Sequence, residues 1–288
     1  MPTTTTTAAS KPRKPARNPK ARRATIASRS DRHDLYQRAV QDVKAEIDFI
    51  DKWFKRITGR LPTRLREDFC GTGNTSCEFA RRRPANSAVG FDIDQPTLDW
   101  GLRHNLPKIP AAARERVRLV NCDVLTPVAA GRRADVVLAC NFSYWIFKER
   151  QTMVRYFREV HRSLVKDGVM FLDACGGWET FKAHRESRPE RGFTYTWQQA
   201  SFNPITHECQ CYIHFKFKDG SSMPRAFSYN WRIYSLPEIR ELLLEAGFRN
   251  VTIYWEGDDG KGGGNGVFLP ATTGEDCPSF IVWISAEK

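Results

Sequence analysis

The chain has 288 residues, a formal net charge of +12 and an ordinary balance of apolar and charged side chains, which fits one large folded domain. It has no apolar run of the roughly 18–20 residues that span a bilayer, and its first residues lack the apolar stretch of a secretory signal. We therefore expect a cytoplasmic protein with no membrane partner.

The eight cysteines lie mostly within apolar runs, and none forms a Cys-x-x-Cys pair. We interpret them as reduced thiols of a cytosolic protein, with neither a metal site nor a disulfide framework. Cys209 and Cys211 are expected on opposite faces of a strand.

Residues 1–32 are predicted to form a disordered basic tail. The stretch opens with threonines and carries many lysines and arginines, with no acid before Asp31, and its composition cannot bury a core. Such a tail could bind nucleic acid or an acidic partner non-specifically; a solvated tail with no dedicated role is the alternative. Because the tail holds most of the excess charge, the net charge does not by itself imply a nucleic-acid substrate.

Residues 33–288 are expected to form one domain. Apolar residues at helical spacing predict a single amphipathic helix over residues 34–55. Its polar Tyr36 is expected either to reach over a cofactor or to be exposed on the surface.

Residues 65–74 read as a strand that ends in the acidic pair Glu67 and Asp68, followed by a tight turn with Gly71 and Gly73, then by a helix. The two glycines allow unusual backbone angles and leave a surface without side chains, against which a ligand can lie. A strand, a glycine turn and a helix together are typical of nucleotide-binding open α/β sheets.

Strands and helices then alternate along the chain. Apolar strands are predicted at residues 87–94, 117–124, 134–141 and 168–174, with helices at 95–104 and 153–165. Several strands end in a polar residue, namely Asp92, Asp123 and Asn141. These side chains are expected at the carboxyl edge of one sheet, where such folds bind ligands.

The last third of the chain is predicted to add a β-rich cover and to complete the sheet. Alternating aromatic and polar residues within about 190–234 predict a small antiparallel sheet, inserted after the fifth strand and lying over the site. A helix with a serine N-cap follows at 235–246, and the final strands are predicted at 251–255 and 279–284. The glycine-rich residues 257–266 are expected to form a flexible surface loop.

This order of motifs resembles that of the class I S-adenosylmethionine-dependent methyltransferases, and the sequence Arg-Glu-Asp-Phe-Cys-Gly-Thr at residues 66–72 is similar to that of a bacterial group among them. The resemblance implies a Rossmann-like, seven-stranded, mostly parallel sheet with helices on both faces, plus the antiparallel insertion. It departs from the family pattern at Phe69, where the family's first glycine stands.

The resemblance also implies a cofactor, S-adenosyl-L-methionine, and its binding residues. Glu67 would hold the methionine end, and Gly71 and Gly73 would allow close approach. Asp92 would bind the ribose, Ile93 would pack on the adenine, Asp123 and Val124 would contact the adenine, and Asn141 would line the cleft. A nicotinamide-dependent enzyme is the rival for this fold.

Methyl transfer is an in-line displacement, so the protein mainly aligns donor and acceptor and excludes water. Asn141 and Tyr144, just past the fourth strand, are the candidate catalytic residues. Further candidates for the pocket wall are Asp173, His207, His214, Arg232 and Tyr234.

The predicted function is methyl transfer to a small-molecule acceptor. One alternative is methylation of RNA or a ribosomal protein, with the basic tail as anchor; another is a cofactor-binding protein without transferase activity.

Overall fold

The computed structural model describes residues 24–261 and 263–288, so most of the predicted basic tail lies outside the described residues. The helices are α1 (Ile26–Arg29), α2 (Arg32–Val40), α3 (Val43–Thr58), α4 (Asn74–Arg82), α5 (Gln95–His104), α6 (Ala111–Arg114), α7 (Arg150–Ser163) and α8 (Leu236–Ala246). The strands are β1 (Arg64–Asp68), β2 (Ser87–Asp92), β3 (Val117–Asn121), β4 (Ala134–Ala139), β5 (Leu164–Gly176), β6 (His184–Glu190), β7 (Phe193–Phe202), β8 (Glu208–Phe217), β9 (Ser222–Arg232), β10 (Arg249–Asp258), β11 (Gly264–Ala271) and β12 (Phe280–Glu287).

The main sheet has the order β3-β2-β1-β4-β5-β12-β10-β11. Strands β1 to β5 pair in parallel, and the last three pair antiparallel. This confirms the predicted mostly parallel α/β sheet. The order reverses between β1 and β4, and in open α/β sheets that reversal opens a ligand crevice at the carboxyl ends of the strands.

Alternate side chains of the buried strands belong to two apolar core layers, one on each face of the sheet. On β4, Val136 and Leu138 pack with α3 and α4, whereas Val137 and Ala139 pack with α7 and α8. This two-sided burial explains why β4 is apolar apart from Asp135 near its amino end. The predicted helices on both faces are confirmed. Across residues 24–261 and 263–288, no helix combines the length and apolar character that a membrane crossing requires.

The predicted antiparallel insertion is present, with four strands in the order β6-β7-β8-β9, of which β6 precedes the predicted range of about 190–234. The missed strand, β6, has the sequence His-Arg-Glu-Ser-Arg-Pro-Glu. Its charges and its proline conceal the alternation of a strand but suit a sheet edge, where they discourage pairing with another chain.

Three further expectations are corrected. The single helix expected over residues 34–55 is two, because Gln41 is extended and Asp42 caps α3 by accepting from the backbone N–H of Ala45 at 3.1 Å. Within residues 24–32, expected in the tail, α1 is ordered: the N–H of Ile26 donates to Asp219 at 2.8 Å. The main sheet has eight strands rather than seven, because part of the expected glycine-rich loop folds as β11 along the edge of β10.

Candidate active site

The glycine turn after β1 has left-handed backbone angles, with φ of +52° at Gly71 and +64° at Gly73. Phe69, at the position of the family's first glycine, also has a positive φ of +56°. Such an angle is costly for an aromatic residue. The Phe69 ring packs 5.7 Å from the ring of Tyr156 and 5.9 Å from that of Phe147, and this packing offsets the backbone cost.

Helix α5 supports the turn from outside. A Cβ at Gly101 would come within 2.2 Å of the Thr72 carbonyl oxygen, so only glycine fits where α5 crosses the turn. Asn105 donates its side-chain N–H to the same oxygen at 3.0 Å.

Glu67 lies at the end of β1 and is buried. Its Oε2 accepts from the backbone N–H of Ser76 at 2.8 Å and from the Ser76 hydroxyl at 2.5 Å, in the first turn of α4. Gly73 occupies the N-cap of that helix. Burial raises the pKa of Glu67 to about 8; Ser76 opposes this shift and the nearby Glu46 adds to it.

Asp92, at the end of β2, connects the second strand to the glycine turn. Its carboxylate accepts from the N–H of Gly71 at 2.8 Å and from the N–H of Asp94 at 2.9 Å. Ile93 beside it is 76 % exposed. That side chain is therefore accessible to the apolar face of a ligand.

The next candidates follow β3. Asp123 is exposed and accepts from the N–H of Leu125 at 2.9 Å, whereas Val124 is buried in the core. The structure thus places Glu67, the glycine turn, Asp92 and Asp123 along one sheet edge.

Helix α2 lies across this edge and joins it to the insertion. Gln37 donates to the Thr72 hydroxyl at 2.8 Å, and Asn74 donates to Gln41 at 3.2 Å. One residue before Gln37, Tyr36 turns to the other side, where it contacts Phe227 of β9 with 4.9 Å between ring centroids. The surface-exposed alternative for Tyr36 is therefore wrong.

The loop after β4 is held by Asp173 of β5. Asn141 and Phe142 both have left-handed backbone angles, φ of +59° and +55°. Their N–H groups donate to the two carboxylate oxygens of Asp173 at 2.8 and 2.9 Å. Burial raises the pKa of Asp173 to about 6, and these two N–H groups oppose that shift.

Tyr144 does not reach the site. It lies in a short 3-10 turn, its side chain is fully buried, and its hydroxyl donates to the Asp173 carbonyl oxygen at 2.7 Å. The tight turn after Asn141 rotates Tyr144 into the core, so contact with an acceptor is not available to it.

A cavity of about 530 Å³, here called the chamber, lies between the loop after β4 and the inner face of the insertion. Its floor includes Asn141, Phe142 and Asp173, and Tyr36 and Glu46 form one side. Its roof carries alternate residues of β7, β8 and β9 and the first residue after β9, namely Tyr195, Trp197, Gln199, Cys209, Cys211, Ile213, Tyr229, Trp231 and Ile233.

Of the further wall candidates, only Asp173 lines the chamber. His214 bonds Gln198 at 2.9 Å and accepts from the N–H of Arg225. Arg232 donates to the Lys148 carbonyl, and the buried Tyr234 donates to that of Phe147. His207 packs against Phe181 and Phe202 in a turn. These four side chains have structural roles.

The expectation for Cys209 and Cys211 is wrong. Residues two apart on a strand share a face, and these thiols line the chamber with 3.7 Å between their sulfur atoms. Within residues 24–261 and 263–288, no three His, Cys, Asp or Glu side chains are grouped to hold a metal ion.

Glu46 is a site residue that the sequence reasoning missed. It lies in the first turn of α3, where an acid is common because it favours the helix dipole. The predicted single helix over residues 34–55 has no helix start at this position, so Glu46 did not stand out in the sequence. Its Oε2 accepts from the Thr75 hydroxyl at 2.9 Å, and burial raises its pKa to about 7. It stands between the glycine turn and the chamber.

Glu46 lies near two other buried carboxyl groups, since it contributes to the raised pKa of Glu67, and Asp173 contributes to the raised pKa of Glu46. Among the described residues, no lysine or arginine forms an ion pair with any of the three. Buried carboxylates without a protein cation favour binding of a cationic ligand.

We expect Glu67 to make the ligand-free protein less stable as the pH rises. A carboxyl whose pKa is raised from 4.5 to about 8 on folding binds its proton more tightly when folded, so the free energy of unfolding falls as the pH rises through that interval. Relative to Glu67→Gln, the wild-type melting temperature should drop by at least about 2 °C between pH 5 and pH 8.5.

Thermal unfolding monitored by circular dichroism across that pH interval measures this difference. Glu115→Gln, at an exposed glutamate, is the matched control and should follow the wild type. If Glu67→Gln shows the same dependence of melting temperature on pH as the wild type, the pKa of Glu67 is not raised by folding as described above.

Comparison with known proteins finds methyltransferases both by sequence and by structure. The family profile described as "Methyltransferase domain" matches residues 69–168. The chain is 20% identical over 208 residues to YqeM of Bacillus subtilis (strain 168), which is provisionally named a methyltransferase; the match covers 69% of this chain and 79% of YqeM.

Solved structures share the fold. An S-adenosylmethionine-dependent methyltransferase from Clostridium acetobutylicum ATCC 824 is similar with a TM-score of 0.66 at 16% identity, covering 88% of this chain and 96% of that one. CalS10, an amino pentose methyltransferase from Micromonospora echinaspora, is similar with a TM-score of 0.62 at 17% identity, covering 88% and 95%. Residues 69–168 therefore match the methyltransferase-domain family, and the chain has the fold of the S-adenosylmethionine-dependent methyltransferases.

Proposed function

We propose that the chain transfers the methyl group of S-adenosyl-L-methionine to a small molecule bound in the chamber. The observation that carries this proposal is the chamber itself. Its volume of about 530 Å³ lies within the range of small-molecule sites, and at Glu46 it meets the sheet edge that carries Glu67 and the glycine turn.

The residues at the sheet edge fit the cofactor. The cofactor carries a sulfonium and an ammonium, and the described part of the chain leaves Glu46 and Glu67 without a cationic partner. Gly71 and Gly73, at positive φ, carry no side chain at the turn, and Asp92 would accept hydrogen bonds from the ribose hydroxyls. The cofactor supplies an activated methyl group; Glu67 would hold its ammonium, and Ile93 and Asp123 would contact its adenine.

The chain itself contributes alignment and exclusion of water. Asp173 fixes the backbone of Asn141 and Phe142 at the chamber floor, and a reacting atom held there needs little further ordering. Helix α2 covers the glycine turn through Gln37. Because the chamber wall is mostly apolar, water competes poorly for the acceptor's position.

The names of structurally similar proteins support a small acceptor. CalS10 is named an amino pentose methyltransferase and KedS8 a sugar N-methyltransferase. Membership of the bacterial group suggested by residues 66–72 remains part of the proposal.

The test is transfer of a radiolabelled methyl group from the cofactor to separate pools of small metabolites, cellular RNA and ribosomal proteins. We expect labelled products in a small-molecule pool, with little dependence on salt or on residues 1–23. Labelling of RNA or ribosomal protein that needs those residues and weakens steeply with salt would instead favour the macromolecular alternative. Cofactor binding without transfer to any pool would favour the non-catalytic one.

A further inference from the structure

The roof of the chamber is aromatic where it faces the carboxyl groups. Trp231 stacks on Tyr229 with 4.5 Å between ring centroids and lies 5.9 Å from Trp197 at 30° between planes. The three rings occupy alternate positions of β7 and β9, so their side chains point to the same face of the insertion. Phe142 meets Trp231 edge-on from the floor at 6.2 Å.

The opposite side is acidic. Asp173 lies on the floor and Glu46 beside it, and Tyr36 is close to both carboxyl groups. Two basic residues, Arg188 and His184, line the chamber. The Arg188 guanidinium already has partners, because it donates to the Ala39 carbonyl and lies 4.4 Å over the Tyr195 ring. The other, His184, lies on the edge strand β6.

Resting on the function proposed above, we propose that the methyl acceptor is a basic amine, held against the Trp197, Tyr229 and Trp231 rings, and that Glu46 receives its proton. Aromatic faces attract an ammonium and its alkyl groups, and they offer nothing equivalent to a sugar hydroxyl. A wall of three stacked rings next to unpaired carboxylates therefore selects for positive charge.

The charge balance at this end of the chamber supports a second cation. The cofactor carries two positive charges and one carboxylate, a net charge of +1. A cation bound nearby lowers the raised pKa of a buried carboxyl, so with the cofactor present Glu46, Glu67 and Asp173 can ionise. Once all three are ionised, their charge exceeds that of the cofactor by two, and an ammonium brings this group of charges nearer to neutrality.

The chemistry balances with Glu46 as the proton acceptor. The ammonium of the acceptor gives one proton to the Glu46 carboxylate, and the freed nitrogen lone pair forms the bond to the methyl carbon as the bond from that carbon to sulfur breaks. The products are the methylated ammonium and S-adenosylhomocysteine. Glu46, with a pKa of about 7, can take a proton from an alkylammonium of pKa ~10 but not usefully from a hydroxyl, whose pKa is near the ~15.7 of water.

The test is a binding experiment that does not require turnover. The full chain, saturated with S-adenosylhomocysteine, is titrated calorimetrically with matched pairs of an amine and its neutral carbon isostere, such as 2-(dimethylamino)ethanol and 3-methylbutan-1-ol. The panel includes linear and cyclic amines of increasing size. We expect at least one amine to bind ten-fold or more tightly than its isostere.

The variants identify the aromatic wall as the source of that preference. Tyr229→Leu and Trp197→Leu, at half-buried positions, should each reduce the preference for the amine at least three-fold while leaving S-adenosylhomocysteine binding intact. Trp178→Leu is the matched control, because Trp178 is 51 % exposed and lies outside the chamber wall. It should behave as the wild type.

Three outcomes would overturn the inference. If S-adenosylhomocysteine binds but no amine is preferred, the acceptor is not selected by charge, and the proposed methyl transfer still stands. If Tyr229→Leu and Trp197→Leu weaken an amine and its isostere equally, the rings act only as apolar surface. If S-adenosylhomocysteine itself does not bind, the proposed function and this inference both fail.

Discussion

Arg66→Met is expected to lower the free energy of unfolding by about 3–5 kcal/mol, the loss found when one partner of a buried ion pair is removed. Arg66 and Asp68 are both fully buried on β1, with Nε and Nη2 of Arg66 at 2.6 and 2.9 Å from the two carboxylate oxygens. Arg66 also donates to the Ser163 hydroxyl at 2.7 Å, and Tyr156 donates to Asp68 at 3.0 Å.

Urea unfolding measures this loss. Arg64→Met, on the same strand, is the matched control: its side chain is 45% exposed and lies 3.9 Å from Asp135, so it should cost less than about 1 kcal/mol. The double variant Arg66→Met with Asp68→Leu should recover part of the stability, because no unpaired charge remains. A loss below about 1 kcal/mol for Arg66→Met alone would contradict the buried pair.

Asp173→Ala is expected to slow methyl transfer about 100-fold, the size of effect that a displacement of about 1 Å at a reacting centre can produce. The change leaves the N–H groups of Asn141 and Phe142 without their acceptor. Both residues then lose the contact that holds them at a positive φ, so the chamber floor should shift.

The experiment compares single-turnover rates on the acceptor found in the methyl-transfer screen. Asp135→Asn is the matched control, because Asp135 is also buried and accepts two backbone N–H groups, those of Thr63 and Arg64, but at the amino end of the sheet. It should reduce stability without changing the rate of the folded protein. An Asp173→Ala rate within three-fold of the wild type would show that the loop holds its position unaided.

The sheet could be predicted from the sequence because its signals are local. A strand buried on both faces must be mostly apolar, as residues 136–139 are, and a polar residue at its end then marks the sheet edge. For that reason the candidate positions Glu67, Asp92 and Asp123 could be assigned to one edge from the order of residues alone. The edge strands β6 and β11 lack such a signal, since one is charged and the other glycine-rich.

The chamber could not be predicted in the same way, because it depends on how separate elements meet. Tyr144 has the spacing of an acceptor-contacting residue, but the left-handed angles at Asn141 and Phe142 turn it inward. Glu46 reads as a helix-start acid until Thr75 is brought to it. Tyr229 reads as one of many strand aromatics until the insertion folds over the loop after β4.

Phe69 shows how a departure in sequence can leave the geometry unchanged. The position demands the left-handed angle that a glycine adopts freely, yet the phenylalanine keeps it at φ +56°. Tyr156, one of the rings it contacts, also bonds Asp68 of the buried pair. The unusual aromatic in the turn and the unusual ion pair in β1 therefore belong to one packed cluster.

The central claim is that the edge formed by Glu67, the glycine turn and Asp92 binds the cofactor, and calorimetric titration of S-adenosylhomocysteine tests it most directly. We expect saturable binding to the wild type and at least ten-fold weaker binding to Asp92→Ala, a loss of about 1.4 kcal/mol in the free energy of binding. Asp167→Ala, at a half-exposed acid paired with Arg60, is the control and should bind as the wild type does. No binding to the wild type, or equal binding to Asp92→Ala, would contradict this assignment.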